Sequence, residues 1–325
     1  MGNPVVHFEI HAADREGLEK FYSELFGWHV EPMPEMGYGM VDTHGGAGIN
    51  GGIATAQDGN PTELFYVEAP DVGAALEKAV SLGATKLMDV TDIPGGPTIA
   101  LFADKAGNPI GLVGSPDGEP QGVSKGDGAP VAWFEIVGGD YEDQKRFYSD
   151  LFGWTYEQMD NPSFSYAMIG PNADYGCGGA ISVSKEQPRT GITLWAAVDD
   201  LASFLRRAEE LGGQIIMEPA QTPGGPEVAM FVDPQGNIRL VPTRQHELSC
   251  YRERKTRGRP RGPSLVDGPR YFLVSQKTLS ISPIRSSSFC ASFSSVDFLT
   301  APAAFVASQN NWCNCGYFSR CSGLK

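Results

Sequence analysis

The chain has 325 residues, 41% of them hydrophobic, with 25 Lys+Arg against 39 Asp+Glu. That length leaves room for two or three domains, and that apolar share excludes a wholly disordered chain. No apolar run approaches the ~20 residues of a membrane span. Met1-Gly2-Asn3-Pro4 has neither the basic flank nor the apolar stretch of a secretory leader, and Val6 stands where a myristoylation signal needs Ser or Thr. Charge is divided along the chain. Residues 1–245 carry 14 Lys+Arg and 35 Asp+Glu, whereas residues 246–325 carry 11 and 4. An acidic body repels nucleic acid at long range. Only Cys177 lies in the body, so a disulfide scaffold is excluded there and a reducing, cytoplasmic location is expected.

In chain order, Val5–Ile10 alternates and reads as a strand. Asp14 reads as an N-cap, and Leu18, Phe21, Tyr22 and Leu25 fall at helical spacing until Gly27 stops the helix. Strands are expected near Trp28–Glu31, Tyr38–Thr43 and Ile49–Ala54. The order then repeats: a strand at Leu64–Glu68, a helix at Val72–Leu82, and strands near Lys86–Val90, Thr98–Ala103 and Ile110–Val113. This is a βαβββ unit used twice. Gly46 to Gly51 matches G-x-G-x-x-G, but a strand-like segment follows it where a nucleotide site needs a helix, so it reads as a turn and bulge.

The whole pattern recurs. Val5–Ile10 answers Val131–Ile136, and Phe21–Trp28 answers Phe147–Trp154, both at an offset of 126. Pro94-Gly95-Gly96-Pro97 answers Pro223-Gly224-Gly225-Pro226, and Asp104 with Gly107-Asn108 answers Asp233 with Gly236-Asn237, at 129. The body is therefore two homologous domains, 1–114 and 130–243. Residues 115–129 are rich in Gly, Ser and Pro and read as a flexible linker. Residues 244–325 are basic and Ser-rich, and they are expected to be disordered. Within that tail Arg257, Arg259 and Arg261 form an AT-hook-like cluster, the sole candidate contact with DNA, where a solvated linker is the plainer account. The cysteine spacing there fits no standard zinc pattern. The chain is expected to be a monomer with an internal pseudo-dimer, or a homodimer, with no membrane contact.

The doubled βαβββ unit, the FY-x-x-LFGW helix end and the D-x-x-GN turn before the last strand resemble the vicinal oxygen chelate superfamily of glyoxalases, bleomycin-resistance proteins and extradiol dioxygenases. The resemblance covers about residues 4–242. It implies an α+β fold of tandem glyoxalase-like domains, each built of two βαβββ modules curling into a cleft. In the family's enzymes the cleft holds a divalent metal, with ligands on the first strand, at the start of the second module and on the final strand. Carried over, these positions are His7, Leu64 and Gly111 in the first domain. In the second they are Trp133, Thr193 and either Arg239 or Leu240. Only His7 is a usual ligand, so no cofactor is expected, and a divalent metal at His7 is the lesser alternative, with Glu9 and His11 as conceivable helpers.

Strand parity places His7, Glu9, Tyr38, Leu64 and Tyr66 in the first cleft, with Met40 and Glu68. It places Trp133, Glu135, Tyr166, Thr193 and Trp195 in the second, with Met168. Aromatic walls around a carboxylate suit a flat or cationic organic ligand. A carboxylate in an apolar cleft can also serve as a general base, which makes Glu9 and Glu135 the catalytic candidates. The plainer alternative is that both satisfy neighbouring groups on the sheet. The expectation is a small-molecule binder with metal-free clefts; the alternatives are a metal-dependent lyase or dioxygenase centred on His7, and, more weakly, a DNA-associated protein. His29 and His44 read as exposed loop or strand-end residues, and Cys177 as packing.

Overall fold

A computed structural model describes residues 2–115, 122–161, 164–184, 189–222 and 226–244. The tail beyond 244, with its basic cluster and five cysteines, lies outside the described residues, as do Pro223, Gly224 and Gly225.

The first domain runs β1 (Val5–Ala12), α1 (Arg15–Phe26), β2 (His29–Met33), β3 (Tyr38–Asp42), β4 (Asn50–Thr55), β5 (Thr62–Ala69), α2 (Val72–Ser81), β6 (Thr85–Asp92), β7 (Thr98–Ala103) and β8 (Pro109–Gly114). The second repeats the order as β9 (Val131–Val137), α3 (Tyr141–Phe152), β10 (Tyr156–Asn161), β11 (Phe164–Ile169), β12 (Gly178–Ser184), β13 (Gly191–Ala196), α4 (Leu201–Glu210), β14 (Gln214–Gln221), β15 (Glu227–Val232) and β16 (Ile238–Pro242). Each domain is one mixed eight-stranded sheet, ordered β2-β3-β4-β1-β5-β8-β7-β6 and β10-β11-β12-β9-β13-β16-β15-β14. The two modules of a domain thus join through their first strands, antiparallel, with His7 opposite Tyr66 and Trp133 opposite Trp195.

The helix ends follow from local chemistry. The Asp14 side chain accepts from Gly17 N at 3.0 Å, and Asp140 accepts from Asp143 N at 2.8 Å, each satisfying an amide that the first turn leaves unpaired. Gly27 and Gly153 close α1 and α3 at φ 69°, a backbone region that costs glycine little. The one element without a sequence signal is a 3₁₀ turn, Pro34–Met36, between β2 and β3.

One residue parity faces the helices. Phe8, Ile10, Phe65, Phe102, Phe134 and Phe231 are fully buried on that side. The helical faces of the two domains pack back to back. Phe65 meets Phe134 with ring centroids 4.4 Å apart, Phe26 stacks on Phe204 at 5.1 Å, and Phe102 meets Phe147 at 6.1 Å. One hydrophobic cluster is consequently shared by both domains.

Contacts across the seam come in reciprocal pairs, which defines a pseudo-twofold axis. Tyr22 donates to Asp233 at 2.6 Å and Tyr148 to Asp104 at 2.9 Å. Trp28 Nε1 donates to the Ala129 carbonyl at 2.8 Å, and Trp154 Nε1 to that of Asn3 at 2.7 Å. The first of these partners, Ala129, lies in the linker, whose end is docked: Gly46 N donates to Ser124 O at 2.9 Å and Ala129 N to Phe26 O at 2.9 Å. The expectation of a flexible linker is thus corrected for residues 122–129. Gly128 serves close approach, since a Cβ there would lie 1.9 Å from the Thr43 carbonyl oxygen. Gly46–Gly51 leads into β4 rather than a helix, with Gly46 and Gly48 at φ 67° and 78°, as its reading as a turn requires. Cys177 is buried, and its amide donates to Val5 O at 2.8 Å across the seam.

Candidate functional site

The concave face of each sheet carries the other parity. In the first domain β1 and β5 bring His7, Glu9, His11, Leu64 and Tyr66 to that face, and β3 adds Tyr38 and Met40. His7 Nε2 lies 2.8 Å from the Tyr38 hydroxyl, and its ring stands edge-on to Tyr66 at 5.7 Å. His11 Nε2 lies 2.9 Å from Glu9 Oε2. Tyr38 and Tyr66 both bring their hydroxyls to Glu9. Burial, with the Glu9 charge added, pushes both phenols far above their ordinary pKa, so they remain protonated. Burial lowers the His7 pKa and favours neutral imidazole. Glu9 is therefore surrounded by polar hydrogens from this sheet. Glu68, at the strand end, accepts from Ser115 at 2.9 Å instead of entering this group.

The second cleft is more apolar. β9, β11 and β13 bring Trp133, Glu135, Tyr166, Thr193 and Trp195 together. Tyr166 donates to Glu135 Oε1 at 2.8 Å and accepts from Trp133 Nε1 at 3.2 Å. Glu135 is 6% exposed, and burial raises its pKa; Tyr166 and the more distant charge of Arg189 pull the other way. Phe164, Met168 and Ala180 pack beside Tyr166, and Met217, Val228 and Leu240 beside Trp195. The Trp195 indole N–H is buried and has no hydrogen-bond partner among the described residues.

The donor chemistry at the family's metal positions can be tested residue by residue. His7 faces the cleft. Leu64 also faces it but offers no donor atom. Gly111 lies opposite Tyr66 on the neighbouring strand, and a Cβ there would sit 2.3 Å from Tyr66 Cδ1. The Tyr66 ring thus covers the place where a longer side chain would start. In the second domain Trp195 opposite Leu240 identifies Leu240 as the equivalent position. Arg239, the other candidate, points to the opposite face, where it pairs with Glu63 of the first domain at 3.0 Å. Among the described residues no group of three or more His, Cys, Asp or Glu could hold a metal ion. The residues present do not fit a three-ligand metal site.

Glu63 and Arg239 escaped the strand-parity reading because each lies on the helical face, in sequence positions where Ile192 and Ile110 stand in the other copy. A charged residue at a core position was the available signal. His29 and His44 stack on each other at 5.7 Å.

Fold and clefts define a tandem protein of vicinal oxygen chelate type. Residues 7–113 match the glyoxalase-like domain, and residues 131–238 match the Glyoxalase/Bleomycin resistance protein/Dioxygenase superfamily. The chain belongs to that superfamily. It is 27% identical over 249 residues to "Putative glyoxylase CFP32" of Mycobacterium bovis, covering 71% of this chain and 90% of that protein. It is 25% identical over 258 residues to "Anthracycline biosynthesis protein DnrV" of Streptomyces peucetius, covering 70% and 89%. Among solved structures, the Mn(II)-bound glyoxalase from Novosphingobium aromaticivorans aligns with a TM-score of 0.55 at 15% identity, covering 75% of this chain and 83% of that one. The 2,2',3-trihydroxybiphenyl 1,2-dioxygenase of Sphingomonas wittichii strain RW1 aligns with a TM-score of 0.55 at 13% identity, covering 75% and 91%. These structures share the fold. No helix among the described residues is long and apolar enough to cross a membrane.

Proposed function

We propose that the protein binds a flat aromatic molecule, cationic or hydrogen-bonding, in the second cleft, without a metal. The observation that supports this best is Glu135: a buried carboxylate of raised pKa on the same face as the paired Trp133 and Trp195, with Tyr166 as its hydrogen-bond donor. Aromatic faces and a desolvated carboxylate both attract a planar cation. The name of the Streptomyces relative supports a planar polycyclic ligand class. The first cleft is the weaker candidate, because Glu9 already has His11 and two phenols against it.

The test is titration of tryptophan emission with ethidium, a planar cation, and with 1,4-dihydroxyanthraquinone, a neutral planar probe. Saturable binding of either, lost in Trp133→Ala, supports the reading. Equal affinity in wild type, Trp133→Ala and Glu135→Gln would remove the second cleft from any binding role. The metal-dependent alternative at His7 is favoured by the Mn(II)-bound structural neighbour and opposed by Leu64 and Gly111. One tightly held Mn, Fe, Ni or Zn per chain after purification without chelator, lost in His7→Ala, would establish it in place of the reading above.

A further inference from the structure

The pseudo-twofold seam is asymmetric at one place. Where the second domain has Ile192 and the first has Ile110, their counterparts are Glu63 and Arg239, and these two meet across the seam. Glu63 Oε2 accepts from Arg239 Nη1 at 3.0 Å and from the Leu194 amide at 3.1 Å. Glu63 Oε1 is buried and has no partner among the described residues. The same is true of Asn108 Oδ1. Tyr66 stands opposite Gly111, and three residues back along each chain lie Glu63 on β5 and Asn108 just before β8. Both line a single cavity of about 110 Å³ between the domains.

The Asn108 amide cannot be turned over to resolve this. Its Nδ2 donates to Asp104 Oδ2 at 2.9 Å, and that carboxylate only accepts. Two buried, unpaired acceptor oxygens on residues that line one cavity are unfavourable, and one proton held between them would remove both defects. We propose that Glu63 is carried in the folded protein as the neutral acid, its hydroxyl donating to Asn108 Oδ1, and that this proton makes it a positioning residue for the wall of the second cleft. The link to the cleft is Leu194, whose amide Glu63 holds and whose neighbours Thr193 and Trp195 line it. This last step rests on the reading of that cleft as the ligand site; the protonation does not.

The surrounding charges agree. Arg239 on β16 faces Glu63 directly. Its Nε also donates to the Tyr22 hydroxyl of α1 at 2.6 Å, and Tyr22 donates in turn to Asp233. Asp233 thereby balances Arg239 when Glu63 is neutral. Asp104 is occupied by the Asn108 amide, the Ala106 and Asn108 backbone N–H groups and Tyr148 of α3. Arg189, before β13, lines the same cavity. Burial outweighs the attraction of Arg239 and pushes Glu63 from 4.5 up to about 7.

Between 4.5 and about 7 the folded state binds the proton and the unfolded state does not. This contribution to stability is full below the unfolded value and is lost as pH rises to about 7, at up to tenfold in the folding constant per pH unit. Gln reproduces the neutral acid, since its Nε2 can donate to Asn108 and its oxygen can accept from Arg239 and Leu194.

The experiment compares thermal midpoints of the full-length wild type and Glu63→Gln from pH 5 to 8.5, with tryptophan emission followed in parallel. We expect Glu63→Gln to gain on wild type from pH 5 to 7, then to hold a constant lead. With emission followed in a Glu135→Gln background, the titration should be present while Glu63 is intact, flat in Glu63→Gln and lost in Trp195→Phe. A variant less stable than wild type by a fixed margin at every pH would mean an ionised Glu63–Arg239 pair, and would overturn the proposal. Were Glu63→Gln unable to fold, the infrared carbonyl band of a protonated carboxyl decides, measured in Glu135→Gln so that Glu135 contributes nothing. Its presence at pH 5.5 and loss by pH 8.5 supports the proposal, and its absence at pH 5.5 overturns it. None of these readouts needs a ligand, so failure of the probes to bind would count against the cleft alone.

Discussion

Glu9 and Glu135 stand at equivalent places on their sheets but have different surroundings. Glu135 has one phenol and apolar walls, whereas Glu9 has a histidine and two phenols. Glu135→Gln is therefore expected to weaken ethidium binding at least about tenfold, since a charge-assisted contact contributes ~1.5–3 kcal/mol, and to leave the thermal midpoint nearly unchanged. Glu9→Gln is expected to do the reverse, lowering the midpoint and leaving ethidium affinity alone. Calorimetric affinity and thermal unfolding separate the two outcomes. Glu135 also predicts a pH response: its raised pKa means that the carboxylate forms only as pH rises through that value. Ethidium affinity in the wild type should fall on acidification, and Glu135→Gln should flatten the profile. Gly111 gives a further prediction at this scale. Gly111→Glu is expected to bind no stoichiometric metal and to lose about 2 kcal/mol or more of stability, because the Tyr66 ring occupies the space its Cβ needs. Metal analysis and chemical denaturation of the variant check both halves.

At the scale of elements, the helices and inner strands were legible from spacing and caps. Asp14, Gly27, Asp140 and Gly153 mark the ends of α1 and α3, and alternation in β1 and β9 assigns the cleft residues to the correct face. Strand ends were less legible. β1 extends to Ala12, and β6 runs Thr85–Asp92, beyond the apolar segment that announces it. Backbone hydrogen bonds to neighbouring strands, rather than side-chain pattern, decide where those strands stop. Helix contacts across the seam were not legible at all. An amphipathic pattern states that a face is buried but not against which partner. Phe26 on α1 stacks on Phe204 of α4, so Phe26→Ala is expected to cost ~3–5 kcal/mol and to unfold both domains in a single transition. Differential scanning calorimetry would show two separate transitions if the domains were independent.

At the scale of the whole molecule, the shared core and the contacts of Arg244 set what can be removed. Arg244 N donates to Val198 O at 2.7 Å, and its Nη2 donates to the Gly128 carbonyl at 2.9 Å. Ending the chain after Arg244 is expected to preserve the thermal midpoint, whereas ending it after Thr243 should lower it by a few degrees. Insolubility of the variant ending after Arg244 would show that residues beyond 244 contribute to the body. The domain organisation was legible because a repeat offset of 126 to 129 runs through the body.

What the sequence by itself determined is the periodic part of the protein: four βαβββ units, their inward and outward faces, and the residue types available at each cleft. Those follow from alternation, helical spacing and turn glycines, which act over a few neighbouring residues. Tertiary structure alone decided the pairings. It set Tyr66 over Gly111, separated Arg239 from Leu240 onto opposite faces, and brought Glu63 to Arg239. Each depends on strand register or on docking between segments more than a hundred residues apart or on neighbouring strands. A one-residue change of register reverses the face of every side chain, so local pattern cannot supply such contacts.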